Sequence, residues 1–155
     1  MFDMFGWAHQ RQRVSRTPCC TIQQLTAQSI GSGWVDIVFD NVLLDDVGAA
    51  NISARPKYIY GVSGYSRVRL SGYSAWASNS NNGRYMQIQV NGACVGLVAR
   101  AALAEGGGLH ITPWLAYKPG DLFGLVVNQT TGGNLNTAGS GFGGPIYLSA
   151  EFDVD

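Results

Sequence analysis

Tyr85-Met86-Gln87-Ile88-Gln89-Val90 alternates without a break and runs into Asn91-Gly92. Successive side chains of an extended strand point to opposite sides, so Met86, Ile88 and Val90 share one face and Tyr85, Gln87 and Gln89 the other. Asn91-Gly92 suits a two-residue hairpin, because both central positions of that turn need positive φ. Val95–Arg100 is then the returning strand. An antiparallel hairpin with one apolar and one polar face, at mid-chain, points to an all-β sandwich.

The same signals recur on either side. Upstream, Thr21–Ile30 leads to Gly31-Ser32-Gly33, and Val35, Ile37 and Phe39 alternate within Trp34–Phe39. Residues 40–57 read mostly as loop, Lys57–Val62 as a short strand, and Tyr65–Ala77 as a long one. Downstream, Ala101–Gly108 reads as a loop and Leu109–Tyr117 as a strand. The turn Lys118-Pro119-Gly120-Asp121 precedes the apolar strand Leu122–Asn128. Gln129–Gly144 reads as a Gly/Asn/Thr loop too polar to bury, and Pro145–Val154 closes the chain. The one candidate helical turn, Ala99–Glu105, is cut off by Gly106-Gly107-Gly108. Eight to nine short strands result, in an antiparallel jelly-roll sandwich spanning residues 19–155.

Bulk composition agrees. The chain has 155 residues, 46% hydrophobic and 13% charged, with zero formal net charge and 21 glycines. That balance excludes disorder, and it lacks the cationic surplus a nucleic-acid binder needs. No stretch approaches the length of a membrane span, and Met1–Trp7 is too short and too acidic for a secretory leader. Synthesis in a cytoplasm is therefore expected. Cys19, Cys20 and Cys94 are odd in number and lack metal-like spacing, so free thiols in a reducing compartment are expected.

Residues 1–18 differ from the rest. They mix Phe2, Phe5 and Trp7 with Arg11, Arg13 and Arg16 and end at Pro18. Aromatics and arginines favour interfaces, so this is read as an arm that docks on a partner.

Alternation also assigns the two faces of the strands. Inward sets are Val68, Leu70 and Trp76 on the long strand, Leu109, Ile111, Leu115 and Tyr117 on the next, and Ile146, Leu148, Ala150, Phe152 and Val154 on the last. The opposite faces hold Arg67, Arg69 and Tyr73; His110, Thr112 and Trp114; and Tyr147, Ser149, Glu151 and Asp153. Three large aromatics among paired basic and acidic groups compose an interface rather than a solvated wall. Pro113 falls mid-strand, where a bulge would exchange the facing of Trp114 and Leu115.

Four motifs, in order, resemble a known superfamily. They are Val62-Ser63-Gly64-Tyr65 before the long strand, Met86-Gln87-Ile88-Gln89-Val90-Asn91-Gly92, Leu115-Ala116-Tyr117-Lys118-Pro119-Gly120-Asp121, and Phe142-Gly143-Gly144 before the closing strand. Together they resemble the jelly roll of complement globular heads and tumour-necrosis-factor ligands, most closely its bacteriophage virion-protein branch. The resemblance implies a homotrimer, with Arg67, Arg69, Tyr73, Trp114, Tyr147, Glu151 and Asp153 at or near the subunit contact. It further implies a capsid decoration or head-fibre protein, assembled in the host cytoplasm and anchored by its N-terminal arm to other virion proteins such as the major capsid protein. The alternatives are a receptor-binding tip of a tail or fibre, contacting a host surface receptor through Ser78–Gly83 and Gln129–Gly144, and a non-viral carbohydrate-binding or signalling trimer.

Catalysis is not expected. His9 and His110 lack the acid and nucleophile of a triad, and Gly106-Gly107-Gly108 lacks the lysine and helix of a phosphate loop. Asp40, Asn41, Asp45 and Asp46 offer hard oxygens for calcium, but such residues are also ordinary in turns and their spacing matches no dedicated calcium loop. No cofactor is expected.

Overall fold

The computed structural model describes residues 16–53, 58–77, 83–100, 106–137 and 145–154. These residues are all-β and contain no helix. In chain order the strands are β1 (Cys19–Gln24), β2 (Ser29–Ile30), β3 (Val35–Asp36), β4 (Asn41–Asp45), β5 (Ala50–Asn51), β6 (Tyr58–Tyr60) and β7 (Arg67–Trp76). There follow β8 (Arg84–Val90), β9 (Ala93–Arg100), β10 (Gly106–Ile111), β11 (Leu115–Ala116), β12 (Leu122–Gln129), β13 (Leu135–Asn136) and β14 (Ile146–Asp153). Eight of the expected strands correspond to longer segments, while Trp34–Phe39 keeps only the two-residue β3; β2, β5, β11 and β13 are likewise two-residue pieces.

Two antiparallel sheets face each other. The first has the order β10-β7-β14-β1-β4, with β11 also on β7, and the second β5-β6-β12-β8-β9, with β3 also on β12. The chain passes between the sheets from β6 to β7, β7 to β8, β9 to β10 and β11 to β12, and the first and last strands lie side by side, as in a jelly roll. The central hairpin forms as expected: Asn91 has φ 51° and Gly92 φ 80°. Lys118–Asp121 is a turn closed by Asp121 N–H to Lys118 C=O at 3.0 Å, with Gly120 at φ 91°. The two turns are tied together, since Asn91 Nδ2 donates to Asp121 Oδ1 at 2.8 Å.

The core lies between the sheets. Val68, Leu70 and Trp76 of β7 are buried with Met86 and Ile88 of β8, Phe123, Leu125 and Val127 of β12, and Ile146, Leu148, Ala150 and Phe152 of β14. Val154, expected inward, is exposed because it lies past the end of β14.

Three stretches read as loop carry strands. Residues 40–57 contain β4 and β5, and β10 begins at Gly106. The polar stretch after β12 is buried in part: Leu135 and Thr137 are enclosed, and Gln129 is 2% exposed. Gln129 Nε2 donates to Ile30 O, Gly31 O and Gly133 O, while its Oε1 accepts from Thr131 N. A satisfied amide makes a polar loop compatible with burial.

The acids of residues 40–46 serve the backbone. Asp40 accepts from Leu25 N and Thr26 N, and Asp45 from Val47 N, Ala49 N and Ala50 N. Burial pushes the Asp45 pKa up, but the backbone donors of Ala50, Ala49, Val47 and Gly48 outweigh it and hold the carboxyl below its ordinary value. A depressed folded pKa contributes stability above the unfolded pKa and loses it as pH falls through the folded one. Asp45→Asn should therefore cost about 1 kcal/mol at neutral pH. The gap from wild type should close below about pH 4; urea unfolding at the two pH values measures it.

A candidate interaction face on the first sheet

The outer face of the first sheet gathers the residues that alternation set opposite the core. Register along β7 and β14 places Tyr147 opposite Tyr73, Glu151 opposite Arg69 and Asp153 opposite Arg67. The two tyrosine rings stack at 5.7 Å with planes 19° apart. Burial, then the neighbouring Tyr73, holds the Tyr147 phenol above its ordinary pKa.

The ion pairs form within one subunit. Arg67 Nη2 reaches Asp153 Oδ2 at 2.9 Å, and Arg69 Nε reaches Glu151 Oε2 at 3.1 Å. Both guanidinium groups lie over the Trp114 ring, their Cζ atoms 5.7 and 5.1 Å from its centroid. Half-exposed pairs of this kind contribute little to stability. Their effect is to neutralise this end of the face. All seven residues expected at a contact thus share one surface.

Leu109 and Ile111 join them, against expectation. Ile111 pairs with Ser71 and Leu115 with Val68, so four steps on one strand oppose three on the other. The extra residue is a bulge at Thr112-Pro113-Trp114, and it reverses facing upstream of the proline. Leu115 and Tyr117 point inward and Trp114 outward as expected. Leu109 and Ile111 turn out to solvent, 52% and 55% exposed. Thr112, expected outward, is buried, and its Oγ1 accepts from Leu70 N at 3.0 Å. Proline itself could locate this break, but not which side of it would flip.

Leu43 of β4, 64% exposed, extends the apolar area to the other edge. With Thr21, Gln23, Tyr73, Leu109 and Tyr147 it lines a shallow depression across the sheet. Gly107 makes room for the tyrosine pair, because a Cβ there would fall 2.1 Å from the Tyr73 ring. A strand of small residues lets the ring lie flat over it.

Of the arm residues, Phe2, Phe5, Trp7, Arg11 and Arg13 lie outside the described residues. Arg16 sits at the sandwich edge, 3.9 Å from Asp46, with Nη2 also on Cys19 Sγ. Pro18 already joins the sheet, its carbonyl accepting from Phe152 N at 2.9 Å. Of the two loops named for receptor contact, Ser78–Asn82 and Ala138–Gly144 lie outside the described residues. Cys19, Cys20 and Cys94 are free thiols.

No family model matches the chain, and no curated protein matches its sequence. Solved structures do match. Murine APRIL aligns at TM-score 0.63 and 8% identity, over 87% of this chain and 98% of that one. The PRD1 vertex protein P5 aligns at TM-score 0.60 and 10% identity, over 90% and 98%. The globular domain of a zebrafish complement 1qA protein aligns at TM-score 0.52 and 8% identity, over 89% and 98%. At such identities the likeness is one of fold: this is the jelly roll of the tumour-necrosis-factor and complement-head type.

Proposed function

We propose that the chain is a structural protein of a bacteriophage particle, a homotrimeric jelly roll that binds rather than catalyses. The observation that carries the trimer is the outer face of the first sheet. Leu43, Leu109 and Ile111 stand exposed around a neutral aromatic pair, and the charges at its Trp114 end are already paired within the subunit. Such a face loses little by desolvation and gains from being covered. Three copies packing it about a common axis would cover it without leaving a free edge to propagate.

The particle reading adds the N-terminal arm and the likeness to a phage vertex protein. The arm supplies the address, docking on other virion proteins such as the major capsid protein, while the sandwich supplies the body. The likeness to murine APRIL supports a second reading, a non-viral signalling trimer. Removal of residues 1–15 separates them, and it spares the Pro18 carbonyl that β14 uses. The truncated protein should remain a trimer by sedimentation and be absent from particles purified from infected cells. Retained incorporation, or failure of the full chain to co-purify with any particle, would overturn the virion reading.

A further inference from the structure

The second sheet presents a different surface, on the side of the sandwich away from the proposed contact. Its outward positions on β8 are Tyr85, Gln87 and Gln89, and register sets Asn128 of β12 directly opposite Tyr85. Val127 pairs with Val35 of β3, which brings Trp34 to the other flank of Asn128. The Trp34 and Tyr85 rings meet edge to face at 6.4 Å, and Trp34 is 44% exposed.

Three features distinguish this place. Asn128 Oδ1 is buried and has no hydrogen-bond partner, an arrangement folded proteins rarely leave unanswered. Beside it Ser32, Gly33, Thr130, Gly132 and Asn134 line a depression whose floor is held by the buried Gln129 amide. Further along the sheet, Gln89 Nε2 donates to Gln87 Oε1, making an uncharged amide row. Among the described residues, the outward positions of β3, β5, β6, β8, β9 and β12 carry one charged group, Asp36.

We infer that this surface is a binding site for a neutral saccharide. A sugar ring has an apolar C–H face and a rim of hydroxyls that both donate and accept. An exposed indole takes the first, and the unanswered Asn128 oxygen with the amides and hydroxyls around it takes the second. A phosphate-bearing ligand would need cations that the face lacks, and Asp36 repels sialylated or sulfated glycans. The site goes beyond the assembly reading and needs only one subunit. Three copies would add avidity for a surface-displayed glycan.

The test uses the full chain on an array of neutral gluco-, galacto-, manno- and N-acetylhexosamine oligomers beside sialylated and sulfated ones. Neutral oligomers should be retained and acidic ones not. Trp34→Ala and Asn128→Ala should each weaken the retained interaction by about tenfold or more, the scale of one lost aromatic or amide contact. Trp34→Phe, which keeps a flat ring, should hold most of it. Sedimentation and circular dichroism of the same samples report assembly and folding separately. The proposal fails if no neutral oligomer binds, if acidic ones are preferred, or if folded Trp34→Ala binds as wild type does.

Discussion

Leu109→Asp is expected to turn a trimer into a folded monomer. In the isolated subunit Leu109 is 52% exposed, and surface substitutions of that kind change stability by roughly 0.5 kcal/mol or less. Under the proposed assembly the same position is buried three times. An uncompensated buried charge costs about 3–5 kcal/mol per copy, enough to exceed the margin of a standard interface. Arg67 and Arg69 are already paired with the acids of this face, so among the described residues they offer the new carboxylate no uncommitted cation there. Leu97→Asp is the matched control: Leu97 is also 52% exposed but lies on β9 of the opposite sheet. Sedimentation should give a trimer for wild type and Leu97→Asp and a monomer for Leu109→Asp. A monomeric wild type, or two variants that behave alike, would remove the assembly reading.

The strands that carry this face were legible where alternation is strict. β7, β8 and β14 each bury every second residue along most of their length, and period-two patterning has one solution when one face is packed. Alternation put Arg67, Arg69, Glu151 and Asp153 on one face, but which cation meets which acid is set by the register of β7 on β14. Legibility ended where one residue changed the phase. Nothing in Leu109-His110-Ile111 distinguishes an inward from an outward setting, because the deciding bulge lies downstream and its effect depends on pairing with Ser71 and Val68. The glycines divide for a similar reason. Gly92 and Gly120 are turn residues with positive φ, and they sit in recognisable dipeptides. Gly61, Gly96, Gly107 and Gly124 instead seat the rings of Tyr117, His110, Tyr73 and Tyr58, each too close for a Cβ. That role is set by a partner distant in sequence, so local composition is silent on it. Trp34, Tyr85 and Asn128 went unassembled too, since only strand pairing brings them together.

Phe152→Ala is expected to give the largest loss of stability, and the pattern of that loss separates fold from assembly. Phe152 is fully buried. Its ring meets those of Tyr65 at 5.7 Å, Tyr117 at 5.8 Å and Phe123 at 6.4 Å, joining β14 of the first sheet to β12 of the second. Tyr117 also donates its hydroxyl to Val62 O at 2.7 Å, which fixes that ring and leaves it little room to collapse into a vacated space. Truncation there should cost about 3–5 kcal/mol, through lost transfer energy and the cavity left behind. For a chain of this length that lowers Tm by roughly 10 °C. Val154→Ala, two residues on and exposed, should change it by no more than about 1–2 °C. Assembly adds a second signature, because a partner that binds only the folded chain makes Tm rise with protein concentration. Phe152→Ala leaves the outer face intact, so its lowered Tm should still climb with concentration as that of wild type does. Leu109→Asp should show the opposite pattern, a Tm independent of concentration. A concentration-independent Tm in wild type would show that the stability of this jelly roll resides within one chain.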